Sequence, residues 1–129
     1  SKSQWFHACT GNKGLPFPYG NTFGVTTCNT RGSDGSGGTD GNSGKVLGLL
    51  PVKSYKGCEG GFPGVFDLAG NQLEWTDACN KTTGKNDFCN TRGGSAYSNS
   101  TNSKCDWKTT SSRSYSYEFV GFRCCADLP

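Results

Sequence analysis

The sequence predicts an α+β protein of the irregular, loop-rich kind, with few helices, short antiparallel strands and four disulfides. Two observations carry that expectation. Only 32% of the 129 residues are hydrophobic whereas 20 are glycine, so the core must be modest and much of the backbone must run in loops. Eight cysteines, an even number in a short chain, read as a disulfide framework formed in an oxidising compartment. A zinc cluster is the competing reading, and a single histidine, His7, with no Cys-x-x-Cys pair, argues against it.

The length fits one domain. A net charge of +3, with Lys and Arg scattered from Lys2 to Arg123, gives no basic run for nucleic acid. No apolar stretch approaches the roughly 18 residues of a membrane span. The expected setting is extracellular, at the cell surface or periplasmic, for a chain whose leader has been removed or lies upstream.

Taken in order, Trp5, Phe6, Ala8 and Cys9 read as a short helix ending at Gly11. Leu15 to Phe23, with Pro16 and Pro18, should be an extended loop whose Phe17 and Tyr19 pack against Trp5. Arg31 to Gly44 is almost wholly Gly, Ser, Asp, Thr and Asn, too polar to pack on its own. Val46 to Tyr55 runs apolar and predicts a buried or half-buried strand, with Pro51 marking an edge or kink. Cys79 and Cys89 bracket a polar loop. Gly121 to Cys125 should be the last strand, in which Cys124 and Cys125 point to opposite faces and take different partners.

The chain is organised around Gly61 to Trp75. Val65, Phe66, Leu68, Leu73 and Trp75 are apolar anchors, and Asp67 and Glu74 bracket the turn Ala69-Gly70-Asn71-Gln72. Two carboxylates converging on a pinned turn suit a hard, oxygen-liganded cation such as calcium. The alternative is that both acids merely cap turns by accepting backbone N–H bonds.

Gly64-Val65-Phe66-Asp67-Leu68-Ala69-Gly70-Asn71-Gln72-Leu73-Glu74-Trp75 resembles the signature of the formylglycine-generating enzyme, or sulfatase-modifying factor, family. Gln4-Trp5 through Tyr19-Gly20-Asn21, then Arg92-Gly93-Gly94-Ser95, then Gly121-Phe122-Arg123-Cys124, resemble further family blocks in the family's order. The resemblance covers essentially the whole chain and implies a C-type-lectin-like fold. The block and large N-terminal half that precede this region in the family are not part of the sequence. Residues 1–129 are therefore expected to be one such domain, the C-terminal part of a larger one or completed by a second polypeptide or by self-assembly.

The resemblance also implies calcium ligands at Asp67, the Gly70 and Gln72 carbonyls and Glu74, and a second site from Asn29, the Thr30 carbonyl and Asp34 or Asp40. It implies bridges Cys9–Cys124 and Cys28–Cys105, which leaves Cys58–Cys125 and Cys79–Cys89 among the 105 pairings that eight cysteines allow. The family's oxidase holds Cu(I) on two cysteines five residues apart. Here those positions are Ser98 and Ser103, so copper is not expected and formylglycine formation looks lost, unless Cys105 is free and a second thiol comes from elsewhere.

No other constellation replaces that chemistry. His7 has no acid nearby in sequence, and Gly35-Ser36-Gly37 is a fragment of a polar loop rather than a nucleophile elbow. Ala96 to Tyr117 is instead rich in Tyr, Ser, Asn and Trp, the composition of adaptable binding loops. Tyr97, Ser98, Asn99, Asn102, Trp107, Tyr115 and Tyr117 are the candidate contacts for a protein, a glycan or an assembly neighbour, set against a merely soluble polar loop. The rival functions are a structural subunit of an extracellular fibre or multichain complex and a copper oxidase with relocated thiols. Asn80-Lys81-Thr82 and Asn99-Ser100-Thr101 match the N-glycosylation pattern.

Overall fold

The structure, a computed structural model, describes residues 3–31 and 48–124. Helix α1 spans Gln4–Thr10 and a 3-10 turn follows over Gly11–Lys13. Ser3 caps α1 by accepting the Phe6 N–H, and Gly11 ends it at φ 57°. Glycine is required there because a Cβ would stand 2.4 Å from the Gly61 carbonyl oxygen.

Strands β1 (Leu73–Cys79), β2 (Phe88–Arg92), β3 (Lys108–Ser112) and β4 (Val120–Gly121) form one sheet in the order β3-β2-β1-β4. β1–β2 and β2–β3 are antiparallel, whereas β4 runs parallel to β1. The sheet is therefore mixed and not wholly antiparallel. The register of β1 slips between Trp75 and Cys79, the local irregularity expected near a strand end.

Among the described residues two small apolar clusters replace a single core. One joins Trp5, Cys9, Leu68 and Cys105, and the other joins Cys28, Cys58 and Ala69. Both contain disulfide sulfur, as expected of a chain too poor in apolar residues to bury enough surface otherwise. Gly93, just past β2, lets the backbone meet the first cluster, since a Cβ there would lie 3.0 Å from the Trp5 ring.

Several expectations are corrected. Of the Val46 to Tyr55 run, residues 48–55 form turns rather than a strand, and Leu49 and Val52 are exposed. Pro51 cannot donate to a ladder, and the Asn71 side chain takes the place of a partner strand. Its Oδ1 accepts the Leu50 N–H at 2.9 Å and its Nδ2 donates to the Leu50 carbonyl at 3.0 Å. Tyr19 packs on the Cys28 cluster rather than on Trp5, with Phe17 stacked on it in a tight turn closed by Phe17 and Gly20. The last strand stops at Gly121.

Among the described residues the disulfides are Cys9–Cys105, Cys28–Cys58 and Cys79–Cys89. Cys9–Cys124, Cys28–Cys105 and Cys58–Cys125 do not form. The inward face of α1 meets Cys105, which is seated by its own N–H on the Pro16 carbonyl. Cys58 closes a turn on Tyr55 directly against Cys28 and Ala69. Cys124 is an exposed free thiol, and Cys125 lies outside the described residues.

Candidate functional site

The central stretch delivers its second carboxylate into the molecule. Glu74 on β1 is buried and accepts from Trp5 Nε1 at 2.5 Å through Oε2. Arg123 brackets the same carboxylate, Nε to Oε2 at 2.7 Å and Nη2 to Oε1 at 2.5 Å. The guanidinium reaches further to the Phe66 carbonyl at 3.0 Å. Helix, central loop, β1 and chain end are thereby locked together by one charge-assisted node.

That node bears on calcium. Both Glu74 oxygens are occupied and its charge is matched by Arg123, so Glu74 does not fit a calcium shell. The Gly70 carbonyl accepts the Gln72 N–H at 2.8 Å, and Asp67 Oδ2 accepts the Lys53 N–H at 2.9 Å. Among the described residues no three His, Cys, Asp or Glu side chains converge. Asn29 and Thr30 behave differently. Both are buried, and Asn29 Oδ1 and Thr30 Oγ1 have no hydrogen-bond partner. The Asn29 amide is oriented by donating to the Gly48 carbonyl (2.7 Å) and to Asn71 Oδ1 (2.9 Å). A buried carbonyl-type oxygen left without a donor fits an oxygen-liganded cation. Asp34 and Asp40 lie outside the described residues.

The Ala96 to Tyr117 candidates separate into two groups. Ser98 Oγ accepts the Ser95 N–H at 2.8 Å, Asn99 Oδ1 accepts the N–H groups of Thr101 and Asn102, and buried Ser103 donates to the Asn99 carbonyl at 2.8 Å. Ser98, Asn99 and Ser103 are thus spent on building their own turn, and the Asn102 carbonyl packs against Gly94. Trp107 is half-buried and does not join the other aromatics.

Tyr97, Tyr115 and Tyr117 do come together. They are each about half exposed, at 48%, 47% and 49%, and a buried residue that the composition did not single out, Phe119, joins them. Tyr97 meets the Phe119 ring edge-on at 4.7 Å, Tyr117 meets it at 5.6 Å, and Tyr115 lies 6.1 Å from Tyr117. Phe119 is held by its carbonyl, which accepts the Leu73 N–H at 2.8 Å. The available sequence signal was the alternation Tyr115, Tyr117, Phe119, which puts three rings on one side of an extended segment. Ring contacts at these separations fix the tyrosines against one another, so a ligand meets pre-ordered aromatic area.

Ser98 and Ser103 carry hydroxyls already used, and the Cys105 sulfur is bonded to Cys9. Neither a two-thiolate Cu(I) site nor a site on Cys105 fits these residues.

Comparison with known proteins agrees with this architecture. A family model described as the sulfatase-modifying factor enzyme 1-like domain matches residues 1–128. Among solved structures, CarF shares the fold with a TM-score of 0.62 at 19% identity, over 92% of this chain and 42% of CarF. The chain thus spans about two fifths of that neighbour's length. No curated protein matches it.

Proposed function

Because the chain belongs to the sulfatase-modifying factor enzyme 1-like family, we propose that it is a non-catalytic member that binds a protein, a glycan or an assembly neighbour. The binding face is the tyrosine group Tyr97, Tyr115 and Tyr117. The observation that carries this reading is the ring contact series from Tyr97 through buried Phe119 to Tyr117 and Tyr115. Half-exposed tyrosines fixed by a buried ring offer large area at low entropic cost, and the adjoining Ser114 and Ser116 supply small polar groups. The loss of activity is inferred from donor chemistry, since the family's copper requires two thiolates where this chain has Ser98 and Ser103.

The three bridges favour a compartment that permits disulfides, and we place the module outside the cytosol, in the extracellular space, at the cell surface or in the periplasm. Among the described residues no helix is long and apolar enough to cross a membrane. A structural cation belongs to the same reading, held by Asn29 Oδ1 with the Thr30 carbonyl and Asp40. It would order the segment on which the Leu50 and Asn71 clamp rests, with no part in a reaction.

The test has two arms. Oxygen uptake is measured with copper and a cysteine-containing peptide, and glycan and peptide arrays are probed with the native chain and with a Tyr97→Ser/Tyr115→Ser/Tyr117→Ser variant. No oxygen uptake, with array signals that vanish in the variant, is the expected result. Copper-dependent uptake would sink the non-catalytic reading, and array binding unchanged in the variant would remove the tyrosine face.

A further inference from the structure

A cavity of about 350 Å³ opens between the turn at Val52 and Lys53, the central loop, and the residues just after β4. Three independent features meet there. Val52 and Phe122, 72% and 75% exposed, are more exposed than any other large apolar side chain among the described residues, and both line this cavity. Lys53, Asp67 and Asn71 are the non-glycine residues with positive φ among the described ones (66°, 59° and 59°), and all three line it as well. Asn71 is explained by its clamp on Leu50, Asp tolerates this region, and Lys53 is the third residue of the turn that the Ser54 N–H closes on the Pro51 carbonyl at 3.1 Å, a position that ordinarily takes glycine rather than lysine. Backbone held in a disfavoured region collects where a side chain must be presented. Lys53 Nζ is presented over the Phe66 ring, 4.9 Å from its centroid, at the cavity.

The charges narrow the ligand. Glu74 and Arg123 neutralise each other in an ion pair, and Lys53 and Asp67 offset one another formally. A neutral ligand is therefore favoured over an anion or a cation. The ammonium of Lys53 can meet a carbonyl, and the Asp67 carboxylate, which already takes the Lys53 N–H on one oxygen, can accept one more N–H. A donor and an acceptor lining one cavity match a peptide unit. Val52 and Phe122 then flank the place for one apolar side chain, against which sugar hydroxyls would be left unpaired. Phe122 also directly follows β4, one of the two edge strands of the sheet among the described residues, where an extended chain can lie alongside.

We propose that this cavity is a docking site for an extended peptide that inserts a single aromatic or branched aliphatic side chain between Val52 and Phe122. The cavity lining shares no residue with the tyrosine face, and its test does not depend on that reading. The chain, ¹⁵N-labelled, is titrated with acetyl-Ala-Phe-Ala-amide and with acetyl-Ala-Ser-Ala-amide, and amide shifts are followed. The phenylalanine peptide should move the amides of Lys53, Phe66, Asp67 and Phe122 saturably, and the serine peptide should not. Phe122→Ser, at a position too exposed to affect folding, should weaken binding about tenfold, as loss of an anchor contact does, and Val52→Ser should act in the same direction. No saturable shift, equal binding of the serine peptide, or shifts confined to Tyr97, Tyr115 and Tyr117 would overturn the proposal.

Discussion

Arg123 reaches 49 residues back along the chain to hold Glu74 with two of its guanidinium nitrogens. The pair is only partly shielded, with side-chain exposures of 28% and 10%, so its worth lies between a surface bridge and a buried one. Trp5 completes it, which places α1, β1 and the chain end on one carboxylate. Glu74→Gln keeps the shape and removes the charge. It should cost about 2 kcal/mol, the order expected when a charge-assisted hydrogen bond is lost and its partner cation is left half-buried. Urea unfolding measures it, and a loss below a few tenths would show that the node is ornamental.

The same variant separates the two cation expectations. With Glu74 committed to Arg123, Glu74→Gln should leave any calcium response intact, whereas Asn29→Ala should abolish it because the unpartnered Oδ1 is gone. Melting with calcium and with chelator reads this out. A native chain whose Tm rises with calcium by mass action, lost in the Asn29 variant and kept in the Glu74 variant, is the expected pattern. Loss in Glu74→Gln alone would return the ion to the central loop.

How much of this was legible in the residues is uneven for physical reasons. The end of α1 at Gly11 and the pivotal place of Gly61 to Trp75 follow from local chemistry, since glycine stops and carboxylate spacing are written in adjacent residues. The turns at residues 48–55 were not legible, because a side chain from Asn71 supplies the hydrogen bonds that the apolar pattern assigned to a neighbouring strand. Cysteine pairing depends on which loops meet across the fold, so Cys79–Cys89, directly opposed on β1 and β2, was readable and Cys9–Cys105, 96 residues apart, was not. At the tyrosine face, composition found the exposed rings and missed Phe119, the buried one that aligns them.

The bridge Cys9–Cys105 closes the longest loop, with a sequence separation of 96. By loop-closure entropy it should contribute about 4 to 5 kcal/mol, more than the Cys79–Cys89 bridge with its separation of 10. Peptide mapping of the unreduced chain should recover these two bridges and Cys28–Cys58, with Cys124 reactive toward alkylating reagents unless a residue outside the described ones binds it. A Cys9→Ala/Cys105→Ala variant should melt lowest of the three paired-alanine variants. Recovery of a Cys9–Cys124 peptide would refute the pairing.

Asp87 carries the pH dependence of the loop between β1 and β2. Its carboxylate accepts the N–H of Gly84 at 2.9 Å and that of Thr83 at 2.6 Å, with a further bond from the Thr83 hydroxyl. Those donors, the Gly84 N–H foremost, hold its pKa below the ordinary 3.8, with Arg113 adding to the effect. A carboxyl with a depressed folded pKa contributes stability that is fully present above its unfolded value and is lost as pH falls through the folded one. The native chain should therefore lose Tm from about pH 5 downward, and Asp87→Asn should flatten that part of the curve. Parallel curves for the two proteins below pH 5 would remove Asp87 from the account.

Lys53 sets stability against binding. An L-residue in the left-handed region costs on the order of 1 kcal/mol, and glycine there avoids that cost while paying roughly half of it back in unfolded-chain entropy. Lys53→Gly should consequently raise stability by about 0.5 kcal/mol, with the Lys53 N–H bond to Asp67 preserved because it is a backbone bond. The same change removes the ammonium from above the Phe66 ring, and peptide docking beside Val52 and Phe122 should weaken several-fold. A chain made both more stable and poorer at binding shows that the strain is held for the site. Gain in stability with unaltered binding would mean that the lysine is strained without a role in the cavity.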